Sequence, residues 1–433
     1  MIQIITADKT VLDILGQPKD AAGAVRFSKY CLSHQTDGGI LLYNLLTGEL
    51  VLLSAEEYAS APDCAYLRDH RFLVPSCCNE REEAELVRWV LKTRQKEPKA
   101  VTSFTILTTT DCNARCYYCY EKGCARVTMT PETADKVASY IQKQAAGKPV
   151  TLRWFGGEPL LNTPVIDRIC QRLQQQGVTF RSHMVSNGYL FDDELVRRAA
   201  DLWKLRQVQV TLDGTQAIYN RSKAYIYREG NPYETVTENI HRLLQAEISV
   251  VVRLNLGPHN GEDLLKLTKE LAQRFKGQPR LKVYAHLLFD TAEADRGQLY
   301  ESLDRLKACL AANGFSSLRQ LPGSLPLNRC MADSGNAVVI APGGQLGLCE
   351  HYTDSEFFGH IDTDARDEAV IAGWRQRCKP IPECQDCFYF PQCAELEKCP
   401  GRTSCDRYTI AALKRDTQQA MDLAYRRWLQ KKE

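Results

Sequence analysis

Three cysteines stand within eight residues, Cys112, Cys116 and Cys119, spaced C-x3-C-x2-C. Thiolates are soft anionic ligands, so three in so short a segment can wrap one compact metal centre. A cubane iron–sulfur cluster is normally held by four cysteines. Only three are local here, so one iron would lack a protein thiolate, and an open metal position is a reaction position. Zinc completed by Cys124 or by a distant residue fits the same spacing. Spacing alone leaves both readings open.

A second array lies downstream. Cys330-x13-Gly344-x4-Cys349 is followed by Cys378, and then by Cys384-x2-Cys387-x5-Cys393-x5-Cys399-x5-Cys405. The C-x2-C spacing is shared with zinc ribbons, so a pair of ribbons is one reading of this array. The other seven of the 18 cysteines (Cys31, Cys64, Cys77, Cys78, Cys124, Cys170, Cys309) are scattered and read mostly as small hydrophobes. A secreted disulfide scaffold is normally far shorter than 433 residues. Met1–Lys9 has neither a basic n-region nor a long apolar h-region, so no export signal is expected. The expected compartment is a reducing cytoplasm, where clustered thiols read as metal ligands.

The cysteines need a scaffold. Length suggests two to four domains at roughly 150 residues each. Apolar residues are 44% and charged residues 25%, enough for an ordinary core. The 55 basic and 53 acidic side chains leave a net charge of +2, which argues against a nucleic-acid-binding surface. No apolar run reaches the ~18 residues a membrane span needs. Residues 1–100 form a separate zone. Gly39–Leu53 reads as a β-hairpin around a Thr-Gly turn, and helical spacing follows at Ala55–Ala61 and Asn79–Gln95. Lys96–Ala100 reads as a polar linker.

From residue 103 short apolar runs alternate with longer helical ones. Strands are expected at Phe104–Leu107, Val150–Phe155, Thr179–Val185, Val208–Leu212, Val250–Leu256 and Leu281–Leu288. Helices are expected at Pro131–Ala146, Pro164–Gln176, Asp192–Trp203, Tyr233–Gln245 and Glu262–Arg274. Such alternation predicts a parallel sheet with right-handed crossovers. Six strands are too few for a closed eight-stranded barrel, so the expectation is an open, partial (β/α)6 barrel. The unusual residues sit at the strand ends: the cysteine loop, Gly156-Gly157-Glu158-Pro159, Ser186-Asn187-Gly188, Asp213-Gly214, and Arg253 with Asn255. Active sites of parallel α/β folds gather at the C-terminal strand ends, so five segments point to one face. After about residue 320 the helical rhythm fades and cysteines take over.

C-x3-C-x-aromatic-C after the first strand of a partial barrel, with Gly156-Gly157-Glu158-Pro159 after the second, resembles the radical S-adenosylmethionine (SAM) enzymes. The resemblance covers residues ~100–405. It implies that Cys112, Cys116 and Cys119 hold a 4Fe–4S cluster whose fourth iron is chelated by SAM. One electron then cleaves SAM to methionine and a 5′-deoxyadenosyl radical, which takes a hydrogen atom from the substrate. The protein positions this chemistry and excludes side reactions. Gly156 and Gly157 permit close backbone approach to a ligand. Glu158, followed by Pro159, can fix the SAM amine by a charge-assisted bond. Tyr118 corresponds to the aromatic that contacts adenine. Thr211 sits where relatives contact SAM with Ser or Thr. Lys223 lies about where relatives place an Arg near the SAM carboxylate; it keeps the charge but loses the planar fork. Ser186, Asn187 and Arg253 read as ribose or carboxylate contacts, with turn, cap or salt-bridge roles as the alternative.

The downstream array resembles the SPASM extension of these enzymes, which carries two auxiliary 4Fe–4S clusters. That makes three clusters in all. The resemblance assigns Cys384, Cys387, Cys393 and Cys405 to an outer cluster, and Cys330, Cys349 and Cys399 to an inner one. Cys378 is the candidate fourth inner ligand, with an open site for a substrate thiolate as its rival. Five residues separate Cys393 from Cys399 where the family has three. Glu350 follows Cys349 directly, where sulfatase-maturating members carry an Asp base; a carboxylate there could take the proton released on substrate oxidation. His351 could do similar work.

Residues 25–95 resemble the small peptide-recognition domain of enzymes that modify ribosomally made peptides, which bind a leader by adding its strand to a sheet edge. A structural cap on the barrel is the alternative. The expected organisation is thus an N-terminal α+β peptide-recognition-like domain at 1–100, a radical SAM partial barrel at 101–320, and a Cys-rich SPASM domain at 321–433. The resemblance implies a cytoplasmic oxidoreductase acting on a precursor peptide with a leader, fed by a reductant such as flavodoxin or ferredoxin. A thioether is the first product expected, then a carbon–carbon or carbon–oxygen crosslink. Formylglycine formation in a sulfatase, and a non-catalytic zinc-stabilised binding protein, are the competing readings. Neither nucleic acid nor membrane is expected as a partner.

Overall fold

The computed structural model describes residues 2–7, 10–16, 24–96, 98–227, 229–288, 296–315, 320–323, 325–328, 330–351, 356–393, 396–399 and 405–432. The chain divides into two compact units. One comprises Met1–Lys96, Leu318–Arg329 and Arg377–Glu433; the other comprises Glu97–Ser317 and Cys330–Gln376.

The first unit is built on strands β1 (Gln3–Thr6), β2 (Val25–Phe27), β3 (Cys31–Thr36), β4 (Gly39–Asn44), β5 (Glu49–Leu53) and β6 (Leu73–Pro75). Helices α1 (Thr10–Leu15), α2 (Ala55–Ala59), α3 (Ala65–Asp69) and α4 (Glu80–Arg94) lie among them. Four strands make an antiparallel sheet in the order β1-β5-β4-β3, and β2 pairs with β6. The expected hairpin is β4–β5, with Asn44 opposite Glu49 and therefore a four-residue connection. Asn44 holds that turn: its side-chain oxygen accepts from the Leu46 amide at 2.9 Å. Alternate residues point to opposite faces. Leu41, Tyr43, Leu50 and Leu52 pack with Met421 and Tyr425 of the C-terminal helix Arg407–Gln430. Leu42, Val51 and Leu53 pack with Ala61, Leu67 and Phe72 on the other face.

The second unit holds β7 (Ser103–Thr109), β8 (Val150–Gly156), β9 (Phe180–Val185), β10 (Leu205–Leu212), β11 (Ser249–Leu256), β12 (Leu281–Leu287), β13 (Ala337–Ile340), β14 (Gln345–Gly347) and β15 (Gly359–His360). They form one sheet in the order β12-β11-β10-β9-β8-β7-β13-β14-β15. Strands β7 to β12 are all parallel, each to the next. Helices α5 (Pro131–Ala145), α6 (Thr163–Gln175), α7 (Asp193–Asp201), α8 (Gln216–Lys223), α9 (Pro232–Gln245) and α10 (Gly261–Arg274) make the crossovers. This is the partial barrel that strand–helix alternation predicts. The sheet is larger than the six strands expected, because β13 adds parallel to β7 and β14 and β15 follow antiparallel. One face of the sheet is an apolar layer, with Phe104, Ile106, Leu152, Trp154, Val208, Val210, Val250 and Val252 buried, and Phe104 meets Tyr140 of α5 edge-on. Among the described residues no helix is long and apolar enough to cross a membrane.

Candidate active site

The loop after β7 carries Cys112, Cys116 and Cys119, and its base is tied shut. The Thr110 amide donates to the Val127 carbonyl at 2.9 Å and the Met129 amide to the Thr108 carbonyl at 3.0 Å. The hydroxyls of Thr109 and Thr128 lie 2.9 Å apart. Buried Asn162, from the turn after β8, donates to the carbonyls of both Thr108 and Met129 at 3.0 Å. On the opposite flank the Arg115 amide donates to the Lys223 carbonyl at 2.8 Å, and the Ile226 amide to the Asn113 carbonyl at 2.9 Å.

Gly156 and Gly157 lie against this loop. A Cβ on Gly156, where φ is +121°, would meet the Thr109 carbonyl oxygen at 2.1 Å; one on Gly157 would meet that of Asp111 at 2.2 Å. The close backbone approach that two glycines allow is thus made to the strand end feeding Cys112. Glu158 is fully buried. Its carboxylate accepts from the Ser186 hydroxyl at 2.9 Å, the Leu160 amide at 3.1 Å and the Asn187 amide at 2.8 Å. Burial pushes its pKa up to about 7, against the pull of those three donors. Glu158 therefore ties the end of β8 to the end of β9. Asn187 continues the chain of contacts, donating to Asn113 at 2.6 Å inside the cysteine loop. The Pro159 carbonyl accepts from the Thr108 hydroxyl at 3.2 Å.

A second knot joins the loop to β10, α8 and β11. The Tyr118 hydroxyl donates to Asp213 at 2.7 Å and accepts from Lys223 at 2.9 Å. Lys223 also donates to the Thr211 hydroxyl and stands 3.3 Å from Asp213, both charges almost fully buried. Burial alone would depress the Lys223 pKa, but Asp213, and after it the neighbouring phenol and thiol groups, hold it well above the usual lysine value. Asn255 on β11 donates to Asp213 at 2.9 Å. Arg253, two residues earlier, bonds His286 at 3.2 Å across the β11–β12 pair.

The segment after β14 reaches the same place. The ring of His351 lies against the ring of Tyr120, next to Cys119 in the loop. Burial lowers the His351 pKa, Glu350 opposes that, and the Arg253 charge adds to it. Burial lifts Glu121 to about 7, although a bond from Tyr120 pulls it down. Glu350 and His351 therefore stand with Tyr120, Glu121 and Arg253 around the cysteine loop.

Burial first, then Glu158, Cys116 and Cys119, push the Cys112 thiol up to about 12. Burial raises the Cys119 thiol as well, and a bound cation would reverse that logic for both, making poor bare thiolates into good ligands. In the first unit Cys405 is raised to about 11 by burial and then by Cys387, Cys384 and Cys393, so these four thiols are neighbours. Among the described residues no three His, Cys, Asp or Glu side chains converge tightly enough for one metal ion. A cubane spreads its thiolates over separate irons, so its cysteines stand farther apart than the ligands of a single ion. Both sets fit a cubane on donor chemistry. Of the remaining cysteines, Cys330 and Cys349 belong to the second unit, and Cys378 and Cys399 to the first.

Sequence reasoning passed over Asn113, Tyr120 and Glu121, and took Asp213 only as a strand end. A loop tyrosine or a buried aspartate has no spacing signature; its partners come from distant segments.

Residues 106–271 match the radical SAM superfamily. No curated protein matches the chain. Among solved structures, native anSMEcpe with bound AdoMet and Cp18Cys peptide is similar at 15% identity, covering 76% of this chain and 99% of its own, with a TM-score of 0.57. Streptococcus suis SuiB bound to S-adenosylmethionine is similar at 12% identity, 88% and 99% coverage and a TM-score of 0.52. SuiB bound to its precursor peptide SuiA gives 11%, 89%, 100% and 0.51. At these identities the likeness is one of fold.

Proposed function

We propose that this chain is a radical SAM enzyme that installs a crosslink, a thioether first of all, in a ribosomally made precursor peptide. The observation that carries this reading is the meeting of Cys349-Glu350-His351 with the cysteine loop through the Tyr120–His351 ring contact. It puts a second cysteine segment and a carboxylate beside the site where substrate would react. Solved structures of similar fold hold a Cp18Cys peptide or the precursor SuiA.

In this reading Cys112, Cys116 and Cys119 hold the reactive cluster. Tyr118, Gly156, Gly157, Glu158, Pro159, Ser186, Asn187, Thr211, Lys223 and Arg253 form the SAM pocket, some by direct contact and some by fixing the loop. When bound, cluster and SAM supply a carbon radical that takes a hydrogen atom from the peptide. Joining a thiol to a carbon also releases a proton and a second electron. Glu350 accepts the proton. Cys384, Cys387, Cys393 and Cys405 would hold one auxiliary cluster, and Cys330, Cys349 and Cys399 with Cys378 another, and such clusters would supply an acceptor for that electron. The antiparallel sheet of the first unit receives the leader by strand addition. A flavodoxin or ferredoxin supplies the first electron, and the cytoplasm is the compartment such thiol chemistry requires.

Formylglycine formation is the second reading, favoured by the carboxylate of Glu350 beside Cys349. The test begins with iron, sulfide and zinc in anaerobically purified protein. Three cubanes give about twelve irons per chain. The protein is then incubated with SAM, dithionite and short Cys-containing peptides encoded beside its gene. A peptide that loses two hydrogens and can no longer be alkylated at cysteine supports the thioether. Oxidation to an aldehyde points to formylglycine, and zinc alone after anaerobic reconstitution ends both readings.

A further inference from the structure

Helix α4 brings a cation onto the outer cysteine array. Arg88 donates through Nη2 to the carbonyls of Phe390 at 3.2 Å, Pro391 at 3.0 Å and Cys393 at 2.9 Å. Its guanidinium lies 5.5 Å from the centre of the Phe390 ring, and that of Arg81 lies 5.0 Å from it. Arg377 approaches from the other side in sequence, with its backbone bridged to Leu396 and its Nη2 donating to the Leu327 carbonyl at 3.3 Å. Two donors are left over. Nε of Arg88 and Nη1 of Arg377 are buried and have no acceptor among the described residues.

This arrangement is costly as it stands. The two guanidiniums are near enough to repel each other, and each hides an N–H from water. An anion beside them resolves both problems. The neighbours of Arg88 that can carry negative charge are Cys393, then Glu85 and the Tyr30 phenol. Cys393 belongs to the group formed with Cys384, Cys387 and Cys405. A four-thiolate cubane is a net anion and gains one more negative charge on reduction. Its potential responds to nearby charge and to hydrogen bonds at its sulfurs, and burial weakens the screening of that charge.

We infer that Arg88 and Arg377 are positioning residues for a cluster on Cys384, Cys387, Cys393 and Cys405. Arg88 seats the Phe390–Cys393 turn, and the pair of cations favours the reduced state. The inference rests on the cluster reading above. It gives α4 a task beyond packing: the helix fixes the redox character of the outer site.

The test uses the full chain, purified anaerobically as wild type, Arg88→Gln, Arg88→Lys and Arg377→Gln. Each is poised with dithionite and mediators, and its clusters are followed by electron paramagnetic resonance alongside iron content. The expected result is a shift of one auxiliary signal to more negative potential in both glutamine variants. The cysteine-loop signal stays in place, and Arg88→Lys recovers most of the wild-type value. Should Arg88→Gln lose its outer iron, Arg377→Gln carries the measurement. Unmoved potentials at full iron content overturn the inference alone, as does an equal shift in the lysine and glutamine variants. A wild-type chain with no outer cluster overturns the inference and the cluster reading together.

Discussion

The ring of Tyr120 lies on the ring of His351, with centroids 3.9 Å apart and planes inclined by 34°. One belongs to the loop of the first cysteine motif, the other to the segment that follows Cys349. More than two hundred residues of chain separate them. The contact brings the Glu350–His351 segment beside the first cysteine loop.

Glu350→Gln keeps the size of the side chain and removes its basicity. The expected outcome is normal release of 5′-deoxyadenosine with peptide product reduced by about 10²-fold or more, the usual worth of a positioned base. Chromatography of both products from one reaction measures the two together. Equal losses of deoxyadenosine and peptide product would place Glu350 outside the proton transfer.

Asp213 and Lys223 form a buried pair that also holds Tyr118 and Asn255. Breaking such a pair leaves an uncompensated charge, at a cost of about 3–5 kcal/mol. Asp213→Asn should lower chemical-denaturation stability by that order. Adding Lys223→Met to it should restore part of the loss, because the stranded charge goes with it. A double variant that loses the sum of both single effects would contradict the pairing.

Gly157→Ala places a methyl group 2.2 Å from the Asp111 carbonyl oxygen, which is backbone and cannot swing aside. The strand end that feeds Cys112 must move. The expected result is loss of about four irons per chain with the auxiliary irons retained. SAM cleavage should vanish with them. Full iron and normal cleavage would show that the loop yields without consequence.

Glu158 titrates near 7 in the folded protein against an ordinary value of 4.5. A carboxyl raised by burial contributes stability that is complete below the unfolded pKa and is lost as pH rises through the folded one. The difference in unfolding free energy between wild type and Glu158→Gln, measured without SAM, should therefore fall by about 3 kcal/mol between pH 4.5 and 7. Above that it should level off. A flat difference across this window would mean that the three donors keep the carboxylate ionised throughout.

Much of the barrel was legible because its strands and helices announce themselves locally. The crossover helix expected at Pro131–Ala146 runs Pro131–Ala145, and its Thr130 cap accepts from the Thr133 amide. The strand expected at Val150–Phe155 gains only Gly156. β13 escaped notice because Ala337–Ile340 is four apolar residues with no helix pattern after it, and its partner β7 lies far back in sequence. The helix Arg407–Gln430 runs against the expectation that helical rhythm fades after residue 320, and nothing local says that it packs on β3, β4 and β5. The site divides in the same way. Cysteine spacing and the Gly-Gly-Glu-Pro run mark its position. Which way Glu158 faces does not follow from spacing, and its oxygens turn inward to Ser186, Leu160 and Asn187. Arg88 looks like one more cation on a solvated helix until the Phe390–Cys393 carbonyls appear beside it.

Strand β7 is not at a margin of its sheet. It is hydrogen-bonded to β8 on one side and β13 on the other, and the loop it feeds is closed at its base by backbone bonds that need no metal. If Cys112, Cys116 and Cys119 hold the proposed cluster, its loss in air should cost atoms before shape, and the stripped chain should remain a template that iron and sulfide can refill.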